Sequence, residues 1–260
     1  MESTLSLRLS DFEIWTGNFA GFGGGSNASE TAWTTKQQSL ITEWIKGGLR
    51  RFYRAFNWEF LKPFVTITFP SGASTYVLPD DFCGLEGQLS LSDSANGVYR
   101  PVLVYNPGDV EQMYSQYPSQ TGCPRAASIQ PLKGTQALKG QLQQLFIFPV
   151  SDQAYSMTFC YYINPDYLVS STPYAYGGSE HTETIKYACL AECETQFLNR
   201  SDGPMLMAYQ RELQNSINVD RRKKPQQMGV NRDRSDEEDW YNADLTRYWG
   251  NLSPVTYTPS

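Results

Sequence analysis

The feature that most constrains the fold is a change of hydrophobic period along the chain. Apolar residues recur at helical spacing over 35–56, alternate with a period of two from residue 64, and return to helical spacing over 180–199 and 204–217. An amphipathic helix cannot bury its apolar stripe by itself. We therefore expect helices from opposite ends of the chain to pack together, with a set of strands inserted between them.

This pattern predicts an α+β fold class. The expected architecture is an antiparallel helical bundle from the N- and C-terminal helices, an inserted β-sandwich or barrel-like domain, and an extended C-terminal arm. The expected segments are N-terminal helices over 1–60 with a glycine-rich loop at 17–29, the β-rich domain over 61–172, a helical hairpin over 173–222, and the arm over 223–260. The predicted bundle core consists of Trp44, Ile45, Leu49, Phe52, Ile185, Cys189, Phe197, Leu206, Tyr209 and Leu213.

The N-terminal region carries two helical signals. A short helix is predicted over residues 4–16, with Leu5 and Phe12 on its apolar side. The longer helix is predicted to start at a capping box formed by Thr35 and Gln38.

A second face of the long helix carries Lys46, Arg50 and Arg54 at intervals of four residues. One interpretation is a solvated face whose cations suit the C-terminal half of a helix. The other is a contact with an acidic partner or with passing DNA. The sequence leaves both interpretations open.

The stretch "STYVLPDDFCGL" raises the possibility of a reactive carboxylate pair at Asp80 and Asp81. Residues 64–78 read as a β-hairpin, and a residue that precedes proline is held extended, so Leu78 closes the second strand. Pro79 cannot donate the next ladder hydrogen bond, and carboxylates are favoured in the turn that follows. The sequence therefore favours a strand-ending turn formed by Leu78, Pro79, Asp80, Asp81 and Phe82 over a catalytic pair.

The middle of the chain predicts at least six short strands separated by turn signals. This count is typical of an antiparallel sandwich or open barrel. One short helix interrupts the strands in "NPGDVEQMYSQYP", with Asn106 or Asp109 near its cap.

The segment 223–260 is polar and has no sustained hydrophobic period, yet it contains Trp240, Tyr241, Tyr248 and Trp249. Disordered tails are normally poor in aromatic residues. Aromatic side chains on an extended segment favour docking on a partner. An inert tail is the alternative.

Composition narrows the classes of function. The 260-residue chain has a formal net charge of −6, which disfavours a basic nucleic-acid-binding domain, and no apolar run approaches the length of a membrane span. Its first residues lack the pattern of a signal peptide, so we expect the chain to stay in the cytoplasm where it is made.

The titratable residues give little sign of chemistry. Five scattered cysteines argue against a disulfide framework. Cys189 and Cys193 could form a metal site with His181, but a buried apolar helix face is the ordinary explanation. The single histidine, His181, has no Ser-His-Asp arrangement with a local signature, so neither enzymatic activity nor a cofactor is expected.

The order of these pieces resembles the head-to-tail adaptor (connector or tail-tubular) proteins of tailed bacteriophages. The resemblance covers about 35–222, and its most specific parts are "FYRAFNWEFLK", "YVLPDDF" and the strand pair that runs from Phe148-Pro149 to Tyr162. The glycine-rich insertion at 17–29 and the length of the arm after Lys224 depart from the family pattern.

This resemblance implies a structural virion protein in the neck between head and tail, assembled in the host cytoplasm. It implies a homo-oligomeric ring, usually a dodecamer, that binds the portal protein at one end and a tail or nozzle protein at the other. Double-stranded DNA would pass through the ring without sequence specificity, and the C-terminal arm would dock on the portal.

Two alternatives remain from the sequence. A tail or baseplate structural protein would share the strands without forming a ring against the portal. An aromatic-rich carbohydrate-binding β-sandwich would use exposed tyrosine and tryptophan to stack on sugars, although such modules rarely need three amphipathic helices.

Overall fold

The change of period along the sequence appears in the structure as a change from helices to strands and back. The computed structural model describes residues 3–23, 33–92, 99–132 and 142–223, and this part of the chain has an α+β fold. Its helices are α1 Leu9–Phe19, α2 Thr35–Ala55, α3 Pro107–Gln116, α4 Thr182–Phe197 and α5 Pro204–Lys223. Its strands are β1 Phe64–Phe69, β2 Thr75–Val77, β3 Phe82–Ser92, β4 Tyr99–Val104, β5 Ala126–Pro131, β6 Gln143–Phe148 and β7 Tyr155–Ile163.

Helix α2 begins at a capping box, one residue earlier than predicted. Thr34 is the N-cap: its Oγ1 accepts a hydrogen bond from the Gln37 backbone N–H at 3.4 Å, and the Gln37 Oε1 accepts one from the Thr34 N–H at 2.9 Å. The pair of Thr35 and Gln38 was therefore wrong. Both pairs have the required spacing, and only the extended backbone of Thr34 identifies the cap.

The first helix, in contrast, starts later than the sequence predicted. Helix α1 begins at Leu9, and Phe12 is buried in the core. Leu5, which was predicted on the apolar side of this helix, precedes it and is 80% exposed. The carboxylate of Asp11 accepts a hydrogen bond from the N–H of Arg8, the N-cap, at 2.8 Å. This bond satisfies a backbone donor at the start of the helix.

The long helix packs against the helix predicted from the other half of the chain. Helix α2 lies along α4, and α1 contacts both. Arg51 on α2 forms an ion pair with Glu192 on α4, with 2.7 Å between Nη2 and Oε2. The described residues up to Arg221 form one compact unit.

Helix α5 contacts α4 at two places, in an antiparallel sense. The hydroxyls of Thr184 and Ser216 are 2.6 Å apart at one end of the contact. At the other end the buried Glu194 carboxylate accepts hydrogen bonds from the N–H groups of Met205 and Leu206 at 2.9 and 3.3 Å. A carboxylate at this place satisfies backbone donors that the first turn of α5 leaves free.

The strands form one seven-stranded order, β1-β7-β3-β4-β5-β6-β2. Each neighbouring pair is antiparallel except β4 and β5, which run parallel through Leu103 and Val104. Helix α3 lies on β5 and β6, where the Tyr114 ring stacks on Phe146 with 5.1 Å between centroids. Its N-cap is Asn106, one of the two residues predicted near the cap.

The predicted hairpin over 64–78 is wrong. Strands β1 and β2 are consecutive in the chain, but β1 pairs with β7 and β2 pairs with β6, so they lie at opposite ends of the strand order. The turn between them is held by the β6–β7 connection, where the Gly72 N–H donates to the Ser151 carbonyl at 2.7 Å. The β1–β2 connection and the β6–β7 connection therefore cross between the two halves of the sheet at the same corner.

Helices and strands share one hydrophobic core. Phe52 and Ile185 from the helices belong to the same buried cluster as Phe159 and Leu89 from the strands. Trp58, which is fully buried between α2 and β1, donates from Nε1 to the Phe52 carbonyl at 3.0 Å. This tryptophan therefore fixes the segment that connects α2 to β1.

Candidate partner-binding surfaces

A groove runs along the exposed face of α2 and is closed on its other side by the chain segment 164–167. We call it the α2 groove. It has a volume of about 380 Å³ and is lined by Lys46, Leu49, Arg50, Tyr53, Arg54, Asn164, Pro165, Asp166 and Tyr167. Two further depressions, of about 680 and 700 Å³, adjoin it through Lys46 and through the segment 164–167.

One wall of the α2 groove is basic because three cations recur there at helical spacing. The side chains of Lys46, Arg50 and Arg54 are exposed. Among the described residues, none of the three has a carboxylate within ion-pair distance, whereas the neighbouring Arg51 is paired with Glu192. These three exposed cations therefore line a concave surface.

The other wall brings aromatic and acidic groups opposite these cations. The Lys46 ammonium lies 4.7 Å from the centroid of the Tyr167 ring. The hydroxyl of Tyr53 accepts a hydrogen bond from the Tyr176 N–H at 3.1 Å, and burial raises the pKa of both Tyr53 and Tyr167. The carboxylate of Asp166 makes the groove mixed in charge.

The sequence reasoning missed this second wall. Residues 164–168 read "NPDYL" and follow β7 directly. An Asn-Pro pair predicts a turn. Because this turn follows β7, the last described strand in the chain, it can return the chain to the helices. The sequence signal was therefore present, but it did not indicate which helix the turn would face.

A second exposed surface lies where β4 ends. Leu103, Val104 and Tyr105 are 44%, 45% and 38% exposed, and Tyr117 at the end of α3 is 58% exposed. The last paired residue of β4 on the β3 side is Val102. The apolar run 103–105 therefore has β5 on one side only, which is the arrangement that another chain can cover.

The stretch "LPDDF" runs from the end of β2 to the start of β3. Leu78 is buried, and the Phe82 N–H donates to the Pro79 carbonyl at 3.0 Å, which closes the turn. Asp81 accepts a hydrogen bond from the Tyr161 hydroxyl at 3.1 Å. Burial, followed by the Asp81 charge, raises the pKa of Tyr161 to about 12.

His181, Cys189 and Cys193 are buried inside the protein. The His181 ring lies among aromatic rings, 5.3 Å from Trp58 and 5.1 Å from Phe60 between centroids. The Cys189 thiol donates weakly to the Ile45 carbonyl at 3.9 Å. Within the described ranges, no three His, Cys, Asp or Glu side chains are grouped so as to hold a metal ion.

The residues predicted for the bundle core occupy different depths. Trp44, Ile45, Leu49, Phe52, Ile185, Cys189 and Tyr209 are buried, and Leu206 and Leu213 are partly buried against the same core. Phe197 ends α4 and is 43% exposed, with its ring 5.5 Å from both Phe22 and Trp44 between centroids.

The arm residues Trp240, Tyr241, Tyr248 and Trp249 lie outside the described residues, as do residues 24–29 of the glycine-rich loop predicted at 17–29. The predicted start of that loop was wrong, because residues 17–19 form the last turn of α1. Among the helices that the structure describes, none has the length and apolar character needed to span a membrane.

The comparisons with known proteins bear on this whole architecture. A search of curated protein sequences found no match. The family model described as SU10 adaptor protein matches residues 11–243, a range that includes α1 from residue 11 onward, the other four described helices, the seven described strands and both exposed surfaces. Since the match covers most of the 260 residues, this chain belongs to the SU10 adaptor protein family.

Proposed function

We propose that this protein is the head-to-tail adaptor of a tailed-phage virion. In this role it forms a ring in the neck, with the portal protein on one side and a tail or nozzle protein on the other. Double-stranded DNA passes through the ring without sequence-specific contacts. The observation that carries the proposal is the family match over 11–243.

The exposed surfaces support assembly with other chains. Leu103, Val104 and Tyr105 form a consecutive apolar run at the surface, next to a strand edge that lacks a neighbour among the described residues. Burial of such a run between subunits contributes roughly 25 cal/mol for each Å² of apolar surface removed from water. A closed ring buries one contact of this kind per subunit.

Within each subunit we propose that α1, α2, α4 and α5 act as an antiparallel bundle that carries the strand region as a sandwich- or barrel-like lobe. The contacts of α2 with α4 and the Thr184–Ser216 hydrogen bond support this arrangement. The bundle gives each subunit a rigid body that a ring can repeat.

The decisive experiment is electron microscopy and native mass measurement of the purified protein, alone and mixed with the portal protein. A closed ring that stacks on the portal is the expected result. A species that binds tail or baseplate proteins but ignores the portal would instead favour a tail or baseplate role. A monomer that binds neither would contradict both roles.

We further propose that the arm over 223–260 docks on the portal through Trp240, Tyr241, Tyr248 and Trp249. Aromatic side chains dominate the energetics of protein interfaces, which supports this assignment. Deletion of 225–260 should leave the circular dichroism spectrum and thermal unfolding of the remaining chain intact and should abolish portal binding. Retained binding by the truncated protein would contradict the docking role.

The net charge of −6 supports a channel that DNA does not adhere to. A negative subunit repeated around a channel repels the phosphate backbone. Replacement of several acidic residues by lysine should therefore slow DNA ejection from assembled particles. An unchanged ejection rate would exclude this electrostatic contribution.

A further inference from the structure

We infer that the α2 groove binds an extended acidic segment of another protein, in which carboxylates alternate with apolar or aromatic residues. This inference concerns a surface of the single subunit. It does not depend on ring formation or on the passage of DNA.

The first argument is charge. Lys46, Arg50 and Arg54 are exposed and have no carboxylate within ion-pair distance among the described residues. On the adjacent face of the same helix, Arg51 is already paired with Glu192 at 2.7 Å. The three groove cations therefore hold positive charge that remains available to a ligand in a protein whose net charge is −6.

The second argument is spacing. Four residues of an α-helix advance by about 6 Å, so these cations succeed one another along α2 at about that interval. Alternate residues of an extended chain lie about 6.6 Å apart. The spacing of three carboxylates at alternate positions of an extended segment therefore matches the spacing of the three cations.

The third argument is the opposite wall. The side chains between those carboxylates point the other way, because successive side chains of an extended chain face opposite sides. In the groove that side is formed by Pro165 and Tyr167, and the floor includes Leu49 and Tyr53. Apolar or aromatic side chains at the intervening positions would pack there.

The same wall argues against nucleic acid as the occupant. Asp166 lines the groove itself, and Glu43 lines the depression that adjoins it through Lys46. Each carboxylate repels a phosphodiester chain, whose charges recur on every nucleotide. A protein segment avoids this repulsion by placing an apolar residue opposite Asp166.

Fluorescence anisotropy tests the inference with the full-length protein and a labelled peptide, acetyl-Glu-Tyr-Glu-Leu-Glu-amide. Saturable binding is expected, and it should weaken as NaCl rises from about 50 to about 300 mM. A peptide with glutamine in place of glutamate, and one with serine in place of tyrosine and leucine, should each bind about tenfold more weakly or not at all.

Matched variants locate the site. The double substitution Arg50→Gln with Arg54→Gln should weaken peptide binding about tenfold. The control is Lys36→Gln with Arg211→Gln, which removes two exposed cations outside the groove and gives the same net charge. Both variants should show the same thermal unfolding as the parent, because all four side chains are exposed.

The outcomes separate the possible occupants. Peptide binding that falls only in the groove variant supports the inference. Equal loss in both double variants would overturn it, since the effect would then be one of overall charge. Tight binding of a short duplex DNA that is lost in the groove variant, or the absence of any peptide binding, would also overturn it. None of these results depends on whether the protein forms a ring with the portal.

Discussion

Gly48 on α2 faces the backbone of Cys189 on α4 so closely that a Cβ atom on Gly48 would lie 2.6 Å from the Cys189 Cα. Real Cβ atoms do not approach backbone atoms to this distance, so only glycine permits this separation of the two helices. The contact joins helices that are more than 120 residues apart in the sequence. It therefore sets how the N-terminal and C-terminal parts of the chain fit together.

We expect Gly48→Ala to lower the free energy of unfolding by about 1–3 kcal/mol, because the two helix backbones must move apart. Gly108→Ala is the matched control: it is also a helical glycine, but a Cβ there meets no atom within 4 Å. Alanine at position 108 should be neutral or should stabilise the protein by up to about 1 kcal/mol. Urea unfolding followed by circular dichroism measures both, and equal effects of the two substitutions would contradict the close approach.

The buried carboxylate of Glu194 holds the start of α5. Glu194→Ala removes the acceptor for the Met205 and Leu206 N–H groups, and we expect it to cost about 1–3 kcal/mol. Glu194→Gln keeps an acceptor oxygen and should cost less. Glu183→Ala on the same helix alters an exposed side chain and should change the free energy of unfolding by less than about 0.5 kcal/mol. A Glu194→Ala protein as stable as the parent would show that this cap is unimportant.

Lys62 connects the end of the helical part to β3. Its largely buried ammonium lies 3.0 Å from Glu59 Oε1 and 2.8 Å from Glu86 Oε1, and hydrogen bonds to these carboxylates raise its pKa against the opposing effect of burial. Lys62→Met should cost about 1–2 kcal/mol, and Glu86→Gln should cost less because its side chain is partly exposed. A double-mutant cycle should give a favourable coupling energy. Strict additivity would mean that the two groups do not interact in solution.

Alkaline pH should unfold this protein through its buried tyrosines. The pKa is raised to about 12 for each of Tyr155, Tyr161, Tyr162 and Tyr209, chiefly by burial. A free tyrosine titrates near pH 10, so the folded state favours the protonated phenol. This stabilisation is fully present below pH 10 and is lost as the pH rises from 10 towards 12.

Tyr161→Phe tests the contribution of one of these groups. Phenylalanine keeps the stacking on Phe82, whose ring centroid is 5.6 Å away, and removes the titrating hydroxyl. The variant should be less stable than the parent at pH 8, because the hydrogen bond to Asp81 is lost. Between pH 9 and 11 its melting temperature should fall by less than that of the parent. An identical alkaline decline in both proteins would exclude Tyr161 as a contributor.

The cysteines should differ in reactivity according to burial. Cys83 is exposed, whereas Cys189 and Cys193 are buried, and burial raises the pKa of both buried thiols, that of Cys193 to about 12. A thiol reagent at neutral pH should modify Cys83 rapidly and should reach Cys189 and Cys193 only after unfolding. Peptide mapping of the modified protein identifies the sites. Rapid modification of Cys189 in the folded protein would contradict the packing of α4 on α2.

Local signals in the sequence predicted the positions of helices and strands better than they predicted which strands pair. The helix predicted in "NPGDVEQMYSQYP" is present as α3, and its N-cap is Asn106, one of the two predicted candidates. A cap and the turn that follows it depend on a few adjacent residues. The start of α2 was displaced by one residue, since Thr34–Gln37 and Thr35–Gln38 both satisfy the same spacing. Pairing of β1 with β2 was wrong for a different reason: both strands found partners about 70 to 90 residues away in the chain.

The sequence by itself determined the α+β class, the return of helical period in the second half, and the basic stripe of Lys46, Arg50 and Arg54. These features depend on side-chain periodicity, which each segment carries without reference to the rest of the chain. Only the tertiary structure decided that β1 pairs with β7, that β4 and β5 run parallel, and that Asn164–Tyr167 closes a groove over the stripe. The reason is that strand edges and helix faces accept many partners locally, and the choice among them follows from the packing of one shared core.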